Sequence, residues 1–400
     1  MADTSAESRR SWIVAFAAVV MLAVAQGAPL TVVVALPRLA EHFGSRGLPS
    51  FASALAFLGS GAGGVLCGWL TQRLGMRRVA MAAGLMLAVG LAVAAEGGRW
   101  QMLLGIAVGV GMFGTGALFA PLVTHVSMWF DRRRGSALAL VSSGQYIAGS
   151  LWPPIFERTI EAFGWRATML GFGLFAAAVI VPLAAIVITP PPIPPPGPIA
   201  RGAPRLGQPV LGMRPNLALA LLAAAGFLCC VPMAMPAAHM VAFCVDLGFG
   251  ARVGAAMLSV LLFSAFLARQ AWGAISDRIG GIPTVLLGNV FQTLSMIAFL
   301  HTSDEAGLFL VSAIYGLGFG GIIPAYVLAV RALFAREEAY WRVPVMLMVA
   351  LSGMAFGTWL AGALYDRMGS YAAAWAVGVA VNLVQLVLIG FLLWRQYRAR

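Results

Sequence analysis

Apolar residues run along this chain in long, nearly uninterrupted stretches. Most span about 18 to 30 residues, which at 1.5 Å per residue is enough to cross a hydrocarbon core of about 30 Å. Six stretches precede residue 190, near 12–36, 51–71, 79–96, 101–128, 136–157 and 167–189. Six more follow residue 215, near 216–245, 253–275, 282–300, 308–330, 343–364 and 371–394. The pattern predicts an all-α polytopic membrane protein with twelve transmembrane helices.

The segment 190–215 separates the two sets of six. Seven of the nine residues in 190–198 are proline, which excludes a helix there and is typical of a semi-rigid linker. We therefore predict an N-terminal six-helix bundle over 1–189, a Pro-rich cytoplasmic linker over 190–215 and a C-terminal six-helix bundle over 216–400.

Composition supports a membrane protein and excludes a soluble one. Hydrophobic residues make up 61% of the chain and charged residues only 10%, against about a quarter charged in soluble domains. The four cysteines lie within apolar runs and lack the spacing of a metal or redox site. The sequence therefore predicts no metal and no cofactor.

Every one of the 26 basic residues is arginine, and the net charge is +12. The arginines cluster between the apolar stretches, so they indicate membrane orientation and not nucleic-acid binding. With the N-terminus inside, the inner segments hold 18 arginines and the outer segments hold 7. This bias predicts an inner (plasma) membrane protein with both termini cytoplasmic. One arginine, Arg269, lies inside a predicted span.

The two halves repeat each other in their connecting loops. GWLTQRLG at 68–75 aligns with GAISDRIG at 273–280 at an offset of 205 residues. The same offset carries Gly164 onto Gly369 and Glu161 onto Asp366. A shared offset in separate loops indicates a duplicated six-helix unit, an architecture found in many secondary transporters.

These loops, of the form G-x-x-x-D-R-x-G, resemble those of the major facilitator superfamily, although Gln72 replaces the usual aspartate in the first half. WFDRRRGSALAL at 129–140, FGWR at 163–166, HMVAFCVDLG at 239–248 and GALYDRMGSY at 362–371 resemble its monocarboxylate transporter and oxalate:formate antiporter branch. The resemblance implies secondary transport by alternating access. It also implies a cytoplasmic conformational latch, in which glycines let helix ends approach closely, at Gly68, Arg73, Gly75, Gly273, Asp277, Arg278 and Gly280.

In these relatives an arginine in helix 8 is the expected partner of the substrate carboxylate, and Arg269 occupies that place, with Ala265 where some relatives carry an aspartate. Arg269 stands eight residues before Asp277, about 12 Å along the helix. We place all fourteen acidic residues in termini, loops or helix ends, so a cation at this depth favours an anionic substrate. The alternative is a structural arginine bonded to helix-end carbonyls or to a tyrosine.

Four further polar residues lie near glycine or proline breaks in the spans, where a transporter helix exposes its backbone. These candidates for substrate contact are Gln26, Gln145, Tyr146 and Tyr326. Each is equally suited to an interhelical hydrogen bond. His239 is the candidate for proton coupling. Three alternatives stay open: a structural histidine, a proton carried by the substrate, or anion exchange without a titrating group.

Glycines recur in helix 4 at positions 105, 109, 111, 114 and 116 and in helix 10 at 316, 318, 320 and 321. They follow no strand and precede no GK[ST], so they predict close helix packing and not a nucleotide loop.

The sequence therefore predicts a monomeric secondary transporter of a small organic anion, a monocarboxylate by resemblance. It moves this substrate with a co-transported proton or in exchange for another anion. One alternative is efflux of lipophilic compounds. A non-transporting sensor and an intramembrane enzyme are weaker alternatives, because an enzyme would need clustered acid and base groups at depth.

Overall fold

The computed structural model describes residues 8–130, 134–190 and 208–398, which are helical almost throughout. A π-helix over Gly105–Thr115 interrupts the first half. The α-helices of this half are α1 (Arg9–Ala25), α2 (Gly27–Val34), α3 (Leu36–Phe43), α4 (Gly47–Leu74), α5 (Met76–Ala95), α6 (Arg99–Leu104), α7 (Gly116–Ser127), α8 (Arg134–Ser142) and α9 (Gly144–Val187).

The second half has longer and fewer helices. They are α10 (Pro215–Asp246), α11 (Ala251–Ile279), α12 (Gly281–His301), α13 (Glu305–Phe319), α14 (Ile322–Leu333), α15 (Arg336–Met368) and α16 (Ala372–Arg398). Outside the helices, the described residues contain one isolated β-bridge, between Val210 and Met213. The turn at this bridge is held by Arg395, whose guanidinium donates to the carbonyls of Leu211 at 3.0 Å and Gly212 at 2.8 Å. The linker residues 191–207 lie outside the described ranges.

Eleven helical stretches of the described chain are long and apolar enough to span a membrane. The longest, Ala137–Val187, passes through Gly164, whose φ of 81° and ψ of 162° are not helical. Gly164 therefore divides this stretch into two spanning helices, which gives twelve spans in the described part. The predicted fold class, an all-α protein with twelve transmembrane helices, is confirmed.

The duplication seen in the sequence is also present in the backbone. Gly75 and Gly280, 205 residues apart, precede α5 and α12 with φ values of 81° and 88°. Gly164 and Gly369, again 205 apart, have φ values of 81° and 69°. Because L side chains rarely adopt this left-handed region, glycine is required at equivalent turns of both halves.

The chain packs as two compact units. Unit 1 comprises Met1–Gly44 and Leu55–Pro198, and unit 2 comprises Ser45–Ala54 and Ile199–Arg400. Unit 2 therefore contains the first two turns of α4 as well as α10 to α16.

In unit 1, the glycine-rich π-helix packs tightly against α4 and α5. A Cβ on Gly63 would strike the carbonyl of Met112, and a Cβ on Gly109 would strike the Cα of Gly90. The predicted close packing of helix 4 is confirmed. A long π-helix also marks a departure from regular helical geometry of the kind often found at functional sites.

In unit 2, the equivalent span is broken between α13 and α14. A Cβ on Gly320 would strike the carbonyl of Ala265 in α11, and one on Gly321 would strike the Trp272 ring. The Trp272 indole donates to the carbonyl of Leu317 at 2.7 Å. The break therefore lies directly against α11, and the close packing predicted for helix 10 is confirmed.

Candidate functional site

Arg269 lies in the middle part of α11, ten residues before the end of the helix at Ile279. Ala265 and Trp272, about one helical turn to either side, contact the break between α13 and α14. The side chain is half-buried. The structure thus places the predicted anion ligand inside a spanning helix, at the level where the neighbouring span loses regular helical structure.

Tyr326 follows the break in α14 and is completely buried. Its hydroxyl accepts a hydrogen bond from the Gln385 amide of α16 at 3.1 Å. Both Tyr326 and Arg269 belong to unit 2. The contact with Gln385 fixes the tyrosine ring, as the alternative of an interhelical hydrogen bond predicts.

The other three candidates for substrate contact lie in unit 1. Gln26 is the junction residue between α1 and α2 and is half-buried. Helix α9 packs along α1 just before this junction, since the Trp152 indole donates to the carbonyl of Ala23 at 2.7 Å. On the first turn of α9, Gln145 is half-buried and Tyr146 is buried. Unit 1 therefore places these three residues on two helices that pack against each other, Gln26 at the end of α1 and the other two at the start of α9.

His239 is completely buried in α10, and both of its ring nitrogens have partners. Nε2 lies 2.9 Å from the carbonyl oxygen of Thr358, and Nδ1 lies 2.9 Å from the hydroxyl of Tyr371. A carbonyl oxygen only accepts, so Nε2 carries the proton of the neutral ring. Nδ1 then accepts from Tyr371.

Arg46 forms a charged site in unit 2 that sequence reasoning missed. Its two terminal nitrogens each lie 2.6 Å from an oxygen of Asp246, a bidentate pair. The guanidinium also donates to the Tyr371 hydroxyl at 3.0 Å and lies 3.7 Å from the centre of the Tyr365 ring. By sequence, Arg46 is one of the seven outer arginines that indicate orientation.

Asp366 binds the same segment through its backbone. Its carboxylate accepts from the amides of Arg46 and Gly47, both at 2.8 Å, and from the Ser45 hydroxyl at 2.6 Å. It thereby satisfies amide groups at the start of α4, where a negative charge is also favoured by the helix dipole. We call Arg46, Asp246, Asp366, Tyr371 and His239 the Arg46 cluster.

Burial and charge act in opposite directions within this cluster. Burial alone lowers the pKa of Arg46, but its hydrogen bonds to Asp246 and Tyr371 outweigh that effect and raise the pKa above its usual value. Burial raises the pKa of Tyr371, although the neighbouring Arg46 opposes the rise. Arg46 is therefore charged, and Tyr371 neutral, throughout the physiological range of pH.

A second ion pair lies in unit 1, and its acidic residue is not where the sequence predicts it. Glu157, placed there at a helix end, lies inside α9, which continues in helical form to Gly164. It is 3% exposed and accepts hydrogen bonds from Arg38 at 3.3 Å. The prediction that every acidic residue lies in a terminus, a loop or a helix end is therefore wrong for Glu157.

The predicted cytoplasmic latch is only partly described. Gly75 and Gly280 have the positive φ values given above, and Arg73 stacks on the Trp69 ring at 4.2 Å. A Cβ on Gly68 or Gly273 would meet nothing within 4 Å. In this structure these two positions are therefore not points of close helix approach, and the latch stays a prediction. The side chain of Asp277 lies outside the described residues, and Arg278 is exposed in the last turn of α11.

Within the described ranges, no group of three or more His, Cys, Asp or Glu side chains is placed to hold a metal ion. The four cysteines are free and buried.

Comparison with known proteins places the chain among transporters. A family model described as Major Facilitator Superfamily matches residues 12–340. Monocarboxylate transporter 11 of Mus musculus is 28% identical over 386 residues, covering 92% of this chain and 83% of that protein. Monocarboxylate transporter 13 of Bos taurus is 27% identical, covering 78% and 73%. The Agnestins efflux protein AgnL12 of Paecilomyces divaricatus is 25% identical, covering 64% and 58%.

Solved structures share the fold at low sequence identity. A nucleoside transporter, NupG, superposes with a TM-score of 0.74 at 12% identity, covering 96% of this chain and all of that one. A peptide transporter, POT, in complex with alafosfalin superposes with a TM-score of 0.73 at 14% identity, covering 94% and 95%.

Proposed function

The chain belongs to the Major Facilitator Superfamily, so it is a multi-pass membrane transporter and not an enzyme. We propose that it carries a small organic anion by alternating access. The substrate class we propose is a monocarboxylate. The names of the relatives from mouse and cattle support this class, and the setting of Arg269 supplies the chemistry.

The observation that carries the proposal is an arginine inside a spanning helix. Insertion of arginine at the bilayer centre costs about 2.5–3.5 kcal/mol, so such residues usually face a cavity or a binding partner and mark function. The break between α13 and α14 lies beside Arg269, and irregular backbone at membrane depth is tolerated where protein or a water-filled cavity covers it. A planar guanidinium there matches a carboxylate through two parallel hydrogen bonds.

The remaining polar candidates have unequal support. Gln26 lies at the junction between α1 and α2, and Gln145 and Tyr146 lie in the first turn of α9, about two turns before Trp152, so all three are close to a helix end. We propose them as substrate contacts of unit 1. Tyr326 is held by Gln385, so we propose that it supports the wall of the site.

The cellular setting follows from charge. The arginine bias of 18 to 7 supports an orientation with both termini cytoplasmic and a place in the plasma membrane. In this orientation the Arg46 cluster faces the outside. We propose a monomer that moves its substrate with a co-transported proton, for which His239 is the candidate coupling group, or in exchange for another anion.

Efflux of lipophilic compounds is the second candidate function. A cavity of about 330 Å³ in unit 1 is lined almost entirely by apolar and aromatic side chains, including Trp152, Phe156, Phe172 and Phe175. The relative from Paecilomyces divaricatus is named as an efflux protein. Efflux through such a surface would not depend on Arg269.

Uptake by purified protein in liposomes distinguishes the two functions. Arg269→Ala should abolish uptake of radiolabelled monocarboxylates while the protein stays folded. Arg99→Gln removes an exposed arginine at the start of α6 and serves as the matched control with wild-type uptake. Undiminished carboxylate uptake by Arg269→Ala would contradict the proposal.

A further inference from the structure

The Arg46 cluster contains a chain of hydrogen bonds whose direction is fixed by its two ends. At the inner end, the carbonyl of Thr358 forces Nε2 of His239 to be the donor, which leaves Nδ1 as an acceptor. At the outer end, the Arg46 guanidinium can only donate. The Tyr371 hydroxyl between them therefore accepts from Arg46 and donates to Nδ1. Each group in this chain is satisfied only while Nδ1 lacks a proton.

A proton on Nδ1 reverses one of these bonds. Nδ1–H must then donate to Tyr371, whose oxygen accepts from both His239 and Arg46, so the hydroxyl hydrogen loses the acceptor it had on Nδ1. The imidazolium and the guanidinium also repel each other across a single hydroxyl. The two acids that face the cluster, Asp246 and Asp366, are bound to Arg46 and to the backbone of 45–47. The nitrogens of the His239 ring bond Tyr371 and Thr358 instead.

The part of the chain that Arg46 secures is short. Segment 45–54 packs with unit 2, while α4 continues in unit 1 from Leu55 onwards. Besides its bonds to Asp246, Asp366 and Tyr371, the segment packs against Gly362, where an added Cβ would lie 2.5 Å from the Ser50 hydroxyl and 3.1 Å from the Arg46 carbonyl. Arg46 also stacks on the Tyr365 ring at 3.7 Å. Loss of the three Arg46 side-chain bonds to Asp246 and Tyr371 therefore leaves this end of α4 held by the bonds that Asp366 makes to Ser45 and to the amides of Arg46 and Gly47.

We propose that Nδ1 of His239 is a proton-binding site whose occupancy releases segment 45–54 from unit 2, with Tyr371 as the relay between the two. The neutral ring favours the docked segment, and the docked state binds one proton fewer than the released state. By linkage, a falling pH shifts the population towards release, and docking in turn displaces the proton. Release also removes Arg46 from Tyr371, which is 2% exposed in the docked state, and opens a path for protons from the outer solution.

This inference rests on the proposed function only in treating the chain as a transporter that opens and closes. It requires no substrate and no role for Arg269. Failure of carboxylate transport therefore leaves it standing, and its own failure leaves the anion site standing.

Amide hydrogen–deuterium exchange of the peptide covering 45–54, in nanodiscs without substrate, tests the proposal. Exchange is measured at about pH 7.5 and about pH 5, two values that bracket ordinary histidine titration. At each pH every variant is compared with wild type, so that the intrinsic exchange rate of the peptide cancels. We expect wild-type protection of this peptide to fall about tenfold or more at the lower pH, an equilibrium shift of about 1.4 kcal/mol.

Three variants and a control separate the steps. His239→Gln keeps a donor for Thr358 but cannot titrate, so its peptide should stay protected at both pH values. Tyr371→Phe keeps the ring and removes the relay, so the pH response should disappear. Arg46→Gln should leave the peptide exchanging rapidly at both pH values. His42→Gln, which removes a histidine that bonds the Gly97 carbonyl in unit 1, should behave like wild type.

Protection that is equal at both pH values in wild type would overturn the proposal. The proposal would also be overturned if His239→Gln kept the pH response. If that variant does not fold, a pH response kept by Tyr371→Phe would overturn it instead.

Discussion

Arg46 and Arg269 are two arginines in different surroundings. Arg46 lies outside the spans, and its guanidinium binds both oxygens of Asp246, a tyrosine hydroxyl and a tyrosine ring. Arg269 lies inside α11 against a broken helix. The first setting satisfies an arginine with fixed protein groups and therefore suits a structural or switching role. The second places an arginine at membrane depth beside irregular backbone, and we propose this setting as the anion site.

Removing the fixed partner of Arg46 should give the largest effect. Asp246→Asn leaves the guanidinium, whose side chain is 11% exposed, without its anion, and we expect unfolding to become easier by about 2 kcal/mol. Thermal unfolding of the purified protein measures this loss. The double variant with Arg46→Gln should recover part of it, because no charge is then left unpaired; equal loss in single and double variants would show that the pair is not coupled.

Exchange of arginine for lysine should separate the two roles. Arg269→Lys keeps the charge but loses the planar pair of donors, so we expect carboxylate affinity to fall about tenfold. Arg46→Lys should leave carboxylate affinity unchanged. Binding isotherms of the two variants, side by side, make the test. The comparison fails if Arg46→Lys weakens carboxylate binding as much as Arg269→Lys does.

High pH should loosen the Arg46 cluster through Tyr371. Burial raises the pKa of this hydroxyl above its usual value, so the neutral form is favoured in the folded protein. The resulting stability is fully present below about pH 10, the ordinary tyrosine value, and is lost as the pH rises through the folded pKa. Between about pH 9 and about pH 11, Tyr371→Phe should lose about 1 kcal/mol less stability than wild type does.

Thermal midpoints across that range measure the difference. Tyr397→Phe, at an exposed position of α16, is the matched control and should follow wild type. A Tyr371→Phe curve parallel to that of wild type would show that folding does not raise the pKa of this hydroxyl.

The smallest effect is expected at the ion pair of unit 1. Arg38 is one-third exposed and binds Glu157 at 3.3 Å, a longer contact than the 2.6 Å contacts of Arg46. Because solvent screens the exposed arginine, Glu157→Gln should change stability by less than about 1 kcal/mol. Thermal unfolding checks this, with Asp246→Asn as the reference; a larger loss than in that variant would reverse the order of the two pairs.

The fold was predictable because lipid acts on every span in the same way. Long apolar runs had to become helices, and the shared loop offset of 205 residues required two similar halves. The glycine runs of helices 4 and 10 were predictable for a related reason, since only hydrogen side chains fit where a neighbouring backbone passes so closely.

The site was predictable only where one residue departed from its surroundings. Arg269 was evident as a lone charge in an apolar run. Arg46 was not, because a loop arginine near a span end is indistinguishable from those that set orientation. Its partners Asp246 and Asp366 are 200 and 320 residues away in sequence. Both acids lie in HMVAFCVDLG and GALYDRMGSY, motifs that carried the family resemblance, and this was the one available signal.

Glu157 was misplaced for a different reason. Three charged residues follow one another at 157, 158 and 161, which indicates the end of a span. The helix nevertheless continues to Gly164, and Arg38 of α3 provides a partner for the buried carboxylate. A contact between distant segments of this kind has no local signature.

Ligand-dependent thermal stability tests the anion site most directly. Purified wild type, Arg269→Gln and the matched control Arg99→Gln are heated with increasing concentrations of a series of monocarboxylates. A ligand that binds only the folded protein raises the Tm with concentration. We predict that at least one monocarboxylate raises the Tm of wild type and Arg99→Gln alike and leaves that of Arg269→Gln unchanged. An equal rise in Arg269→Gln would contradict the assignment of the carboxylate site to this arginine.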